Sequence, residues 1–226
     1  MNRNATHHIP DEIIEAYASG LLPHAFSVVV AAHVSLCDKC RATAEACEAV
    51  GGVALDHIDG EAPAQDLRAR TLSMLDDLPD ADQTHARLPR NLPITAPQPA
   101  RRGIFPGAVA AELGDDGPRW KSLGAGIRQQ ILTSGPDGTV RLLYIPAGKA
   151  VPDHGHGGLE MTLVLQGSFS DHTGHFAKGD VQVVEDDLEH TPIADDGPAC
   201  ICLAATDAPL RFNAMIPRLL QRVFRI

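Results

Sequence analysis

The sequence predicts a multidomain α + β fold, in which a helical N-terminal domain precedes a sandwich or closed barrel of short β-strands. In the first half, apolar residues recur every three or four positions, which is the period of an amphipathic helix. In the second half, short aliphatic runs alternate with clusters of Gly, Asp and Pro, which is typical of strands joined by turns. Six prolines between residues 79 and 106 separate the two patterns.

Four helices are predicted in residues 1–80. The first follows Pro10, a residue that is favoured where a helix begins, and the second follows Pro23. Asp38 can cap a third helix, which we expect to end near Gly51-Gly52. A fourth, weaker helix is predicted from Gln65 to Leu75.

Residues 81–103 are rich in Pro and Arg, a composition that favours an extended connector over helix or sheet. We therefore expect a helical domain over residues 1–80 and a β domain over residues 104–226. The strands of the β domain are predicted in TVRLLYIPAG, MTLVLQGSFSD, DVQVVE and ACICLAAT. The last segment, IPRLLQRVFRI, has the spacing of an amphipathic helix, and it is either packed on the domain or a partner-binding tail.

Charge is distributed unevenly. The net charge is −10, and residues 1–80 hold five Lys/Arg against thirteen Asp/Glu. Such an acidic domain would be repelled by nucleic-acid phosphates and attracted to a basic protein, although charge alone favours ordinary solubility as its explanation. No apolar run reaches the ~20 residues of a membrane helix, and the N-terminus lacks a secretory signal. We expect a cytoplasmic protein without structural disulfides.

A first metal site is predicted in the helical half. His33, Cys37 and Cys40 form H-x3-C-x2-C, and one helical turn places His33 and Cys37 on the same face. Two thiolates and an imidazole suit tetrahedral zinc, with His7 or His8 as the fourth ligand. The alternatives are a buried histidine beside two free cysteines, or a redox-active C-x-x-C. The redox motif usually follows a strand, and no strand precedes Cys37.

A second metal site is predicted in the β half. His154 and His156 are two positions apart, so in a strand both side chains point to one side. Glu160 follows Gly157-Gly158, which permit a bend that brings its carboxylate to the same wall. With Gly148 and Gly167 these residues form G-x5-H-x-H-x3-E-x6-G, which resembles the first motif of the cupin superfamily. The resemblance implies a double-stranded β-helix, or jelly-roll, barrel.

The second cupin motif is less complete. Gly179-Asp180 and His190 can be placed on it, and His190 is then the fourth ligand beside His154, His156 and Glu160. A His3Glu set can hold zinc, manganese, iron or nickel. The alternative is a group of surface histidines near a turn.

The segment HHIPDEIIEAYASGLLPHAFSVVVAAHVSLCDKC, followed by a connector and a cupin, resembles the ChrR-type zinc anti-sigma factors over nearly the whole chain. The resemblance implies that His8 joins His33, Cys37 and Cys40 around one zinc ion, and that the cupin holds a second. It also implies that the helical domain sequesters an extracytoplasmic-function (RpoE-like) sigma factor and blocks its binding to RNA polymerase.

The functional hypothesis is therefore an anti-sigma factor that releases its sigma factor under oxidative stress, with singlet oxygen as the implied signal and the cupin as the sensor. We expect no enzymatic activity, no direct DNA binding and no membrane contact; a dimer formed through the cupin stays open. A second hypothesis is a cupin metalloenzyme, such as a dioxygenase or isomerase, with an accessory helical domain. A third is a cupin that binds a small ligand without turnover.

Overall fold

The structure is a computed structural model of the 226-residue chain, and it describes residues 5–76, 102–151, 154–155, 158–185, 189–207 and 211–212. The chain divides into two compact units, one formed by residues 1–51 and 99–226 and the other by residues 52–98. The predicted domains 1–80 and 104–226, with a connector over 81–103, stay a prediction. The helix expected in IPRLLQRVFRI lies outside the described residues.

Within the described residues, four helices precede residue 77, as predicted, and a fifth that was not predicted precedes the strands. Their bounds are α1 (Asp11–Ala18), α2 (His24–Val34), α3 (Asp38–Asp56), α4 (Leu67–Asp76) and α5 (Gly107–Leu113). The expected end of α3 at Gly51-Gly52 is wrong, because the helix continues through both residues. Each glycine costs a helix about 1 kcal/mol relative to alanine, which weakens it without ending it.

The described residues of the β half form antiparallel strands in three sheets, as a cupin-like barrel requires. The strands are β1 (Lys121–Gly124), β2 (Ile127–Gly135), β3 (Gly138–Ile145), β4 (His154–Gly155), β5 (Glu160–Gln166), β6 (Ser168–Asp171), β7 (Gly174–Ala177), β8 (Val181–Val184), β9 (Glu189–His190), β10 (Ile193–Ala194), β11 (Cys200–Thr206) and β12 (Arg211–Phe212). The largest sheet has the order β1-β2-β3-β11-β5-β8, and the two smaller ones are β10-β6-β7 and β12-β4-β9.

The six-stranded sheet is covered on both faces, which is why nearly every residue of β5, between β11 and β8, is buried. Val164 of β5 packs with Phe169 and Phe176 of the β10-β6-β7 sheet, and we call this the inner face. Met161, Leu163 and Leu165 alternate with it, as strand geometry requires, and pack on the opposite, outer face.

Helix α2 lies on the outer face of this sheet, against β3, β5 and β11. Its sequence, HAFSVVVAAHV, is apolar on nearly all sides, and such a helix must be buried all round. Phe26, Val29 and Val30 are buried in one continuous core with Leu142 and Leu203 of the sheet. The described parts of residues 5–51 and of the barrel therefore share a core.

None of the helices in the described parts of the chain combines the length and the apolar character that crossing a membrane requires.

Candidate metal centre and its surroundings

The sequence H-x3-C-x2-C folds into the junction between α2 and α3. The main-chain N–H of Cys37 donates to the oxygen of His33 at 2.9 Å, so one helical turn continues past the end of α2. The oxygen of Cys37 accepts from Arg41 N at 3.1 Å and so joins the first turn of α3, which carries Cys40. His33 and Cys37 consequently lie one turn apart, and Cys40 reaches them from the next helix.

The four predicted side chains of this site converge, with His8 as the fourth. The ligand atoms of His8, His33, Cys37 and Cys40 all lie within 4.8 Å of one another. The Nδ1 atom of His8 is 3.3 Å from Cys37 Sγ and 3.7 Å from Cys40 Sγ. Ligands bound to zinc at about 2.0–2.3 Å in a tetrahedron are roughly 3.3–3.8 Å apart, so the cluster fits such an ion after small adjustments.

His33 shows how the cluster is prepared for a cation. Its ring is fully buried, and its Nδ1 donates to Gly179 O at 3.0 Å. Among the described residues its Nε2 has no hydrogen-bond partner. A buried nitrogen lone pair without a donor is costly, and a metal ion at the centre of the cluster would satisfy it. His33 therefore fits the role of a metal ligand through Nε2.

In the absence of a metal, burial favours the neutral forms of His33, His8 and Cys40. Burial lowers the pKa of His33 to about 4, and it also lowers the pKa of His8. Burial raises the pKa of Cys40 to about 11, and the neighbouring Cys37 adds to the shift. Metal binding requires thiolates, so a divalent cation would displace thiol protons and supply the positive charge that the buried sulfurs need.

His7, the other candidate for the fourth ligand, faces the barrel instead. Its ring lies 4.4 Å from that of Phe176 in β7, centroid to centroid, and its Nδ1 is 3.4 Å from Asp180 Oδ2. The residues themselves left His7 and His8 open, and the geometry brings His8, not His7, to His33, Cys37 and Cys40.

Asp180, in the turn between β7 and β8, holds the segment that carries His8. Its Oδ1 accepts from the main-chain N–H groups of Thr6 at 2.6 Å and His7 at 3.0 Å, and its Oδ2 accepts from Ala177 N at 2.9 Å. The sequence had indicated Asp180 only as part of the second cupin motif. No sequence pattern marked its contact with residues 6 and 7.

Two of the four predicted cupin ligands can be described in full. Glu160 and His190 are both buried, and Thr162 Oγ1 donates to Glu160 Oε1 at 3.1 Å. The backbone of His154 in β4 pairs with that of His190 in β9. The side chain of His154 and the whole of His156 lie outside the described residues. The cupin ligand set therefore stays a prediction.

His190 has a partner that its sequence position did not reveal. Its Nδ1 is 2.8 Å from Asp171 Oδ2, and that oxygen also accepts from Gln182 Nε2 at 2.8 Å. Burial alone would raise the pKa of Asp171, but hydrogen bonds from Thr173, Gln182 and His190 outweigh it and lower the pKa to about 2. A carboxylate bonded to the second nitrogen is the usual support of a metal-binding histidine.

Cys200 and Cys202 alternate with Ile201 in β11 and so share one face of the strand. Both are buried in β11 on the inner face, with their sulfurs 3.4 Å apart. The pKa of Cys202 is raised by the hydrogen bond with Cys200 and by burial, which keeps the thiol protonated. His172 and His175, which lie outside the cupin motif, are exposed.

Comparison with known proteins finds relatives of the β half and of nearly the whole chain. The family model described as the ChrR cupin-like domain matches residues 114–208. The anti-sigma-E factor ChrR of Cereibacter sphaeroides is 47% identical over 224 residues, which span 97% of this chain and 98% of that protein. A chain in the crystal structure of Rhodobacter sphaeroides SigE in complex with the anti-sigma ChrR is 44% identical, with a TM-score of 0.73, and the match covers 90% of this chain and 100% of that one.

Proposed function

The chain belongs to the ChrR family of anti-sigma factors, and from this premise we propose that it sequesters an extracytoplasmic-function sigma factor. The observation that carries the proposal is the 47% identity to a ChrR protein, which extends over 97% of this chain and 98% of the other. A match of that extent includes both the helical segment and the barrel. Because sigma factors act on RNA polymerase, we also propose a cytoplasmic location.

We propose that the partner binds the helical unit that begins at residue 52. Large apolar side chains are exposed along this unit. They lie closer together than the single apolar residues that are normal on a protein surface. They are Val53, Leu55, Ile58, Leu67, Leu72 and Met74. Apolar side chains of this kind are typically buried at the centre of a protein–protein interface.

The charge of the same stretch supports a basic partner. Residues 52–76 contain five Asp/Glu and two Lys/Arg. A sigma factor binds DNA and therefore presents basic surfaces, which complementary charge would attract and orient. An acidic surface with apolar anchors accordingly suits a DNA-binding protein better than DNA itself.

In this proposal His8, His33, Cys37 and Cys40 hold a structural zinc ion. Zinc with four protein ligands supplies a cross-link and no open coordination position for catalysis. The cross-link would fasten the segment before α1 to the junction of α2 and α3. The convergence of the four ligand atoms within 4.8 Å supports this role.

We propose that the barrel holds a second ion on His154, His156, Glu160 and His190 and acts as the sensor of oxidative stress. The buried Glu160 and the Asp171 support of His190 favour such a site. The ion is zinc in the first instance, with manganese, iron or nickel as alternatives. We propose sensing without turnover, and iron or manganese in the native protein together with product formation would instead favour an enzyme.

Co-purification with the extracytoplasmic-function sigma factors of the same genome tests the proposal. The decisive variant is Leu72→Asp with Met74→Asp, since these side chains are 50% and 69% exposed and can change without disturbing a core. The matched control is Ile193→Asp in β10, which is 46% exposed on the barrel. We expect loss of the complex only in the double variant. Retention of the complex in the double variant would refute this surface, and failure of every such sigma factor to bind the wild type would refute the function.

A further inference from the structure

We propose that the turn between β7 and β8 of the barrel, Gly179-Asp180, is the outer shell of the His8-His33-Cys37-Cys40 metal centre. Metal binding at the helices then favours docking of the barrel turn, and docking of the turn favours metal binding. The inference rests on the proposed zinc ion at these four residues and goes beyond it by naming what the barrel contributes. Asp180 is a positioning residue in this arrangement.

The first observation is the hydrogen bond from His33 Nδ1 to Gly179 O, at 3.0 Å in a fully buried setting. A carbonyl oxygen only accepts, so the bond places the ring proton on Nδ1 and directs Nε2 to the metal. A bond of this kind orients the ring and raises the basicity of the ligating nitrogen. Gly179 adopts a φ of +96°, a conformation that suits glycine and that sets the direction of this carbonyl.

The second observation is a set of hydrogen bonds from the same turn to the segment that carries His8. Asp180 accepts from the N–H of Thr6 and His7, and Thr6 Oγ1 lies 3.1 Å from the same carboxylate oxygen. Val181 N in turn donates to His7 O at 3.2 Å. The Asp180 side chain is only 3% exposed, so water competes little for these bonds.

The two observations concern different ligands. Gly179 O accepts a hydrogen bond from His33, which belongs to α2. Asp180 accepts from the main chain of His7, the residue immediately before His8. Two of the four ligands, from separate parts of the helical segment, are therefore held by adjacent residues of one barrel turn. Cys37 and Cys40 are placed by the α2–α3 junction instead.

Thermodynamic linkage makes this contact reciprocal. If the docked turn improves the affinity for metal by some factor, bound metal favours the docked turn by the same factor. Changes in the outer shell of metal sites typically alter affinity about 10–100-fold. A change of state in the barrel that moves this turn would therefore reach the ligands directly.

The test is the affinity of the full chain for Co²⁺, measured by chelator competition and by thiolate-to-cobalt absorption. That absorption reports a site with cysteine ligands and not the His/Glu set predicted in the barrel; Cys37→Ser should abolish it. We expect Asp180→Asn to weaken Co²⁺ binding about tenfold. The matched control is Asp195→Asn, because Asp195 accepts from Ser170 and contacts His175, both in the barrel. The control should keep the wild-type affinity, whatever its effect on thermal stability.

Hydrogen exchange gives a second measurement that needs no change at Asp180. With zinc present, Cys37→Ser should exchange faster than wild type at peptides covering residues 5–9 and also at those covering 177–181. Strands β2 and β3 serve as the internal reference. Equal Co²⁺ affinities for Asp180→Asn and wild type, or unchanged exchange at residues 177–181, would overturn the inference while leaving the proposed zinc site intact. Absence of the cobalt absorption in wild type would overturn both.

Discussion

His33 and Gly179 are 146 positions apart in the chain, and a 3.0 Å hydrogen bond joins the imidazole Nδ1 of the first to the main-chain oxygen of the second. The bond links the end of α2 to the turn that precedes β8. It also leaves Nε2 of His33 directed at His8, Cys37 and Cys40. A ligand of the helical segment is thus oriented by the backbone of the barrel.

Replacing a cysteine of the cluster should remove the metal and loosen the helices. We expect Cys37→Ser to bind one zinc ion fewer than wild type and to melt roughly 10 °C lower, the shift that a loss of about 3 kcal/mol gives in a chain of this size. Elemental analysis and thermal circular dichroism measure the two effects. Cys47→Ser is the control, since Cys47 is only partly buried on α3 and stands outside the cluster. Equal zinc contents in the two variants would contradict the assignment.

The packing of α2 on the sheet should contribute strongly to stability. Phe26 is 2% exposed in the core that α2 shares with the barrel, and truncating such a side chain costs about 3–5 kcal/mol. Phe26→Ala should lower the free energy of unfolding by that amount in urea titrations. Leu21→Ala, at a side chain that is 80% exposed, should stay within about 0.5 kcal/mol of wild type. A small effect at Phe26 would show that the helix does not depend on the sheet.

Acid should weaken the hold of Asp180 on the N-terminal segment. Burial alone would raise the pKa of Asp180, but hydrogen bonds from the N–H groups of His7, Ala177 and Thr6 outweigh it and lower the pKa. A lowered carboxyl pKa adds stability above the unfolded-state value of about 3.9, and that stability is lost as the pH falls through the folded-state pKa.

Urea unfolding of metal-free wild type and Asp180→Asn at a series of pH values measures this effect. The wild type should be more stable by a constant amount above about pH 5, and the difference should shrink in more acidic solution. His7 is the nearest ionisable group, with Nδ1 3.4 Å from Asp180 Oδ2, so the series is repeated with His7→Gln in both proteins. A difference that does not vary with pH would show that Asp180 is not ionised when it binds this segment.

Asp171 should raise the affinity of the barrel for its proposed metal ion, because it supports His190. Asp171→Asn keeps the size of the side chain but removes the charge beside His190 Nδ1, and we expect barrel metal affinity to fall about 10–100-fold. Equilibrium dialysis against graded chelator, carried out in the Cys37→Ser protein, measures the barrel ion alone. Asp196→Asn, at an exposed turn residue, is the control. Equal retention by both variants would argue against His190 as a ligand.

The sequence predicted the metal cluster well because its spacing is local. H-x3-C-x2-C needs only a helical turn and the start of the next helix, and both are encoded within eight residues. The choice between His7 and His8 required the position of Asp180, which contacts residues 6 and 7 from the other end of the chain. Spacing along the chain carries no information on such a contact.

The sequence predicted the docking of α2 on the barrel only in part. The run AFSVVVAA is apolar without a polar face, which predicts burial all round but not the surface that buries it. Strands β1 and β2 were not predicted, because KSLG is largely exposed and β2 alternates only at its start. β1 is a short edge strand, and β2 pairs with it on one side, so both depend on neighbouring strands and local composition marks them poorly.

The burial of α2 has a consequence for protein engineering. One side of this helix is covered by the outer face of the six-stranded sheet. Separating the two into fragments would expose Phe26 and Val29 to solvent on one fragment and Met161 and Leu203 on the other. Grafting residues 5–51 onto an unrelated β-sandwich would meet the same difficulty. A transplant of this segment should carry a redesigned, hydrophilic α2 or include the six-stranded sheet of this protein that covers it.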